Sequence, residues 1–169
     1  MSKYEKLTRD QFAWFLDTTP NEESPTWELI GFGINEAGIE YNPQVETEKF
    51  IIHKNATSSH ESNQKQSSIT QKCYKGEPIF EYMNKLRDKS GDAVRGRILE
   101  VDSWNGTGEA DAKKYPAKMT EVITPVTSFL GENAEIGYDI YFNGDPEEGT
   151  VTIANGTPTF VPSANANVE

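Results

Sequence analysis

The sequence predicts a mainly β fold with a single helix. Three observations lead there. Ile and Val together number 20 against 6 Leu, with 15 Thr beside them. β-Branched side chains restrict χ1 in a helix and suit a pleated, half-buried surface. The apolar residues recur in short runs bounded by Gly, Pro and Asn, and only one segment follows the helical period.

In chain order, FAWFLD (12–17) predicts a short strand with Phe12, Trp14 and Leu16 on one face. The Pro, Asn and Ser of 18–26 predict a loop. WELIGFGI (27–34) predicts a second strand, its Gly31 and Gly33 marking a bulge or a close backbone approach. Asn42-Pro43 marks a turn. Residues 45–54 and 67–74 predict strands on either side of NATSSHESNQKQ. From His53 to Ser68 only Ala56 is apolar, so this stretch cannot be held by its own burial. It is expected to be a mobile loop or a long polar hairpin, within about 45–74, that leans on another subunit if ordered.

Pro78 suits a first helical turn. Ile79, Tyr82, Met83 and Leu86 recur with the helical period and predict the core face of a helix over about 78–89. Ser90-Gly91-Asp92 stops it. Residues 94–102 are expected to be extended, and 103–116 to form a Gly-rich loop. Residues 117–130 alternate, with Pro125 implying an edge or a bulge. In 134–142, Ile136, Tyr138, Ile140 and Phe142 predict one buried face. Asn143-Gly144-Asp145-Pro146 predicts a turn. Asn155-Gly156 between TVTI and TPTFV predicts a closing hairpin. The polar end, 163–169, is expected to be a flexible tail after a single domain over 1–162.

The net charge of −11 on 169 residues argues against a surface that grips nucleic acid by neutralising phosphates. It is compatible with a surface that lets nucleic acid slide past. Leu, Ile, Val and Phe make up 34 of the 169 residues, a thin core for a chain so charged. One cysteine, Cys73, excludes an intramolecular disulfide framework. Residues 1–10 lack an apolar run, so no signal peptide is expected, nor any membrane span.

Chemistry-bearing patterns are sparse. His53 and His60 lie in the polar excursion without zinc-ligand spacing. Cys73 reads as a small packed apolar group. Residues 143–149 lack the alternating ligands of a calcium loop. Neither a catalytic set, nor a metal, nor a cofactor is expected.

Taken together and in order, FAWFLDT, NPQVETEK, YKGEPIFEYMNKLR, RILEVD, NGDPEEGT and NGTPTF resemble the major tail protein (tail tube protein) family of long-tailed bacteriophages. The resemblance spans about residues 10–161, with Glu77 standing where the family pattern has Asp. It implies a tail-tube-type β-sandwich or barrel with one flanking helix, made in the host cytoplasm and carried in the virion tail. It further implies six-membered rings stacked head to tail into a conduit for DNA ejection. Partners would be further copies, a tape measure protein in the lumen, and terminator and tail-tip or baseplate proteins at the ends. Duplex DNA would pass without specific binding, through a lumen kept acidic.

On this resemblance the strands about 45–54 and 67–74 are expected to form part of the inner wall, with Glu46 and Glu48 as lumen acids. The residues between (Lys54, Asn55, Ser58, Ser59, His60, Glu61, Asn63, Gln64 and Lys65) are expected to contact the next ring. The alternative from the residues alone is a cytosolic β-rich binding module acting through the 54–66 excursion.

Overall fold

The chain follows the alternation of its apolar residues into strands, and its one helical stripe into one α-helix. The computed structural model describes residues 3–164, so the tail expected over 163–169 lies, from residue 165, outside the described residues. The elements are β1 (Phe12–Asp17), β2 (Trp27–Leu29), β3 (Pro43–Glu48), β4 (Thr57–Asn63), β5 (Gln66–Lys72), α1 (Pro78–Leu86), β6 (Arg95–Asp102), β7 (Tyr115–Ile123), β8 (Val126–Phe129), β9 (Glu135–Ala154) and β10 (Thr157–Pro162).

Eight strands form one antiparallel sheet along the path β10-β9-β7-β6-β1-β2, with β5 and β8 also paired to β9. The sheet curls until the segment after β2 meets the outer edge of β5. There Lys72 donates its N–H to the Gly33 carbonyl at 3.0 Å, and bridges join Ile34 to Gln71 and Glu40 to Gln66. Curling in this way covers strand edges that would otherwise template pairing.

The 20-residue β9 organises the sheet. Its first half pairs with β5 (Ile69 opposite Tyr138) and β8, its second with β7 and β10. The turn expected at Asn143–Pro146 does not occur. The strand runs on, and the β7 register shifts from Met119 opposite Glu147 to Glu121 opposite Asn143. The extra residues bulge out around Gly144, whose φ of 68° suits glycine. A bulge and a turn draw on the same residues, which explains the misreading. Thr124-Pro125 splits the expected 117–130 strand into β7 and β8. The Thr124 N–H keeps the β6–β7 register, bonding to the Val94 carbonyl, while Pro125, lacking an N–H, accepts from Asp139 on β9.

Curvature separates two cores. On one face Trp14, Leu16, Ile30, Ile69, Ile98, Val122, Ile136, Tyr138 and Ile140 enclose Ile79, Tyr82, Met83 and Leu86 of α1. On the other, Phe15, Trp27, Leu99, Val101, Ala117 and Val151 form a smaller cluster. β1 is therefore buried on both faces from Trp14 to Asp17, where the alternation suggested one. The expected 27–34 strand contracts to β2: the Ile30 N–H still bonds to the Trp14 carbonyl, and the chain then turns, with Ile34 donating its N–H to the Gly31 carbonyl at 3.1 Å.

α1 begins as expected at Pro78, with the Glu77 carboxylate accepting the Phe80 N–H at 2.6 Å as an N-cap. It ends at Leu86, three residues early, since the apolar stripe stops there. Glu77 also accepts from Gln71 at 2.7 Å, and Gln71 in turn accepts from the Tyr138 hydroxyl at 3.4 Å. This buried network ties the helix start to β5 and β9. The closing hairpin forms as expected, with Asn155 and Gly156 at φ 50° and 79°, the left-handed pair that a two-residue turn requires.

The Tyr82 hydroxyl is buried with no hydrogen-bond partner among the described residues. Burial, with Asp17 nearby, pushes it up to about 12; burial, with Glu77 adding, raises Tyr138 as well. The folded state thus holds protons that the unfolded chain releases above about pH 10. The stability carried by the neutral Tyr82 phenol is complete below that pH and lost as pH rises through about 12. Tyr82→Phe is expected to be neutral or stabilising by roughly 1 kcal/mol at pH 7. It should also soften the alkaline loss, both read by denaturant titration across pH. A clear destabilisation at pH 7 would refute the unpartnered hydroxyl.

Candidate assembly surface

The polar excursion folds into a projecting hairpin. β3 and β4 pair in constant register from Glu48 opposite Thr57 to Val45 opposite His60, then past one irregularity to Pro43 opposite Asn63. The ladder continues inward through Gln64 N–H to the Tyr41 carbonyl and the Glu40–Gln66 bridge, so the hairpin is the free end of a ribbon rooted in β5. Six pairs at about 3.3 Å each give an arm of roughly 20 Å. Every residue of both strands is exposed. A two-stranded hairpin standing alone is marginal in water.

This corrects the expected arrangement. The strand expected over 45–54 spans Pro43–Glu48 and pairs with the excursion itself, while 67–74 joins the main sheet as β5. Glu46 and Glu48 share one face of β3, exposed and without an ion pair among the described residues. Ser58, Ser59, His60, Glu61 and Asn63 lie on β4, and Lys54 and Asn55 in the connection after the turn. Gln64 joins the ribbon to its root. Lys65 stands apart from the exposed arm: it is half-buried, 3.0 Å from Glu100 and 4.3 Å over the Phe142 ring.

The tip is the feature that sequence reasoning missed. His53 donates its N–H to the Phe50 carbonyl at 2.9 Å, which places Ile51 and Ile52 at the corner of a turn. Corners usually carry Gly, Asn, Asp or Ser. Here Phe50, Ile51 and Ile52 are 54%, 101% and 84% exposed. The signal was the break in alternation, three consecutive apolar residues in an otherwise polar stretch.

A groove of about 920 Å³ opens between the hairpin root and the main sheet. Its apolar lining comes from Phe12, Trp14, Ile39, Tyr41 and Phe142, and the β9 bulge (Gly144–Pro146) forms one wall. Arg9 stacks over Trp14 at 4.7 Å. Once Lys65 is matched with Glu100, Glu61, Asp102 and Asp145 outnumber Arg9 and Lys118 along it.

A third surface is polar. Ser68, Thr70 and Lys72 of β5 share a shallow depression with Glu36, Glu40 and Glu135, and Asp139 lies opposite Ser68. That sets four carboxylates against one lysine. Among the described residues no three His, Cys, Asp or Glu side chains are grouped to hold a metal, and no helix is long and apolar enough to cross a membrane. No protein-family model matches the chain, and no curated protein matches it in sequence.

Proposed function

We propose that the chain is the repeating subunit of a self-assembled tube of the bacteriophage tail-tube kind, with a structural and not a catalytic role. Six copies would form a ring, and stacked rings would conduct duplex DNA from the virion. The observation that carries this reading is the hairpin, an arm with no buried residue and an apolar tip. Such an arm has a reason to persist if copies of the same chain cover it. The resemblance over residues 10–161 supports the same conclusion.

The channel wall is assigned to the polar face of β5 and β9. Its carboxylates offer DNA phosphates little cationic charge to exchange for their counterions. In this reading Glu46 and Glu48 belong to the arm and not to the wall. A tape measure protein would fill the channel before DNA, with terminator and tip proteins at the ends.

Negative-stain electron microscopy of the purified chain at high concentration tests this. Rings or tubes with a central channel wide enough for duplex DNA are the expected result. Particles that stay single at every concentration, and with a tail-tip complex added, overturn it and leave the hairpin as the arm of a monomeric binding module.

A further inference from the structure

We propose that the hairpin tip of one copy seats in the groove of a second copy. Phe50, Ile51 and Ile52 would fill the space lined by Phe12, Trp14, Ile39, Tyr41 and Phe142. The inference rests on the self-assembly reading and names the receiving site. Three observations select a second copy as the occupant.

The first is reach. His60, Glu61, Ser62 and Asn63 at the root of the hairpin are themselves a wall of the groove. The tip lies an arm's length away, roughly 20 Å along a ribbon of nearly constant register. A tip so held cannot fold back into its own groove.

The second is charge. The tip segment Lys49-Phe50-Ile51-Ile52-His53-Lys54 carries two lysines and no acid. The groove, with Lys65 matched to Glu100, keeps an acidic excess from Glu61, Asp102 and Asp145 over Arg9 and Lys118. The lysines bracketing the apolar corner therefore meet a rim whose acids outnumber its bases by one.

The third is symmetry. Tip and groove are different surfaces of one chain, so their contact is heterologous. Each copy that offers a tip also offers a vacant groove, and the contact repeats without using itself up.

A mixing experiment on the full-length chain tests this. The tip variant carries Ile51→Ser and Ile52→Ser. The groove variant carries Tyr41→Arg: Tyr41 lines the groove and not the polar depression, and it is 51% exposed. Circular dichroism checks that both fold. Each variant alone should self-associate at least a hundredfold more weakly than the parent, as expected for losing two buried isoleucines or blocking their site. Mixed, they should form one-to-one dimers and nothing larger by sedimentation, because one still has a groove and the other a tip. A folded groove variant that assembles like the parent overturns the site, as does a mixture that stays monomeric. Parent chains that never self-associate overturn the assembly reading itself, and the groove assignment with it.

Discussion

Replacing Arg97 with Met will destabilise the fold by about 3–5 kcal/mol, the cost of stranding a buried carboxylate without its partner. The Asp17 side chain is fully buried at the end of β1. It accepts from Arg97 Nη2 at 2.6 Å and Nε at 2.9 Å, and from the Thr19 and Thr26 N–H groups at 3.0 Å each. The carboxylate thereby closes the polar 18–26 loop and pins it to β6. Met keeps the aliphatic bulk of Arg97 but supplies no charge or donor, leaving Asp17 only its neutral partners. Chemical denaturation of the variant should show a lower midpoint. A loss below 1 kcal/mol would mean that loop and carboxylate readily reach water. Removing both partners together (Asp17→Asn with Arg97→Met) should cost less than the sum of the single changes.

The opposite profile is expected at the hairpin tip. Ile51→Ser with Ile52→Ser should leave folding stability within about 0.5 kcal/mol of the parent, since both side chains already stand in water. Assembly should nevertheless fall below detection by light scattering and electron microscopy. Intact assembly in this variant would dismiss the tip as the adhesive part of the arm. A large loss of stability would mean that the tip packs within its own chain.

Much of the fold was legible because local and global demands agree where β9 begins and where α1 lies. Ile136, Tyr138 and Ile140 alternate in sequence and are fully buried. Ile79, Tyr82, Met83 and Leu86 trace one stripe and meet one core. Legibility failed where a residue's role depends on distant chain. Gly144 and Pro146 look like a turn because a bulge in a continuous strand takes the same residues, glycine for its positive φ and proline where the ladder spares an N–H. Phe15 looked outward until Trp27 and Val151 came to cover it. β4 was not legible as the partner of β3 because it carries no apolar alternation: its register is set by the ladder and the 50–53 turn, and burial has no part in it. The groove could not be foreseen at all, because its lining gathers residues from Arg9 to Pro146.

That spread imposes an order in time on a chain synthesised from its N-terminus. The hairpin contains only local contacts, so its strands can meet, though marginally while they stand alone, as soon as residue 63 is available. The sheet cannot, because β5 waits for partners in β9 about 70 residues later, and long-range pairings of this kind form slowly. Phe142 and the 144–146 bulge belong to the same late segment, so the groove is completed only in the last quarter of synthesis. A nascent chain therefore exposes its tip residues well before it has a cavity to offer, and neighbouring chains on one messenger can be joined in this way only once they are nearly finished.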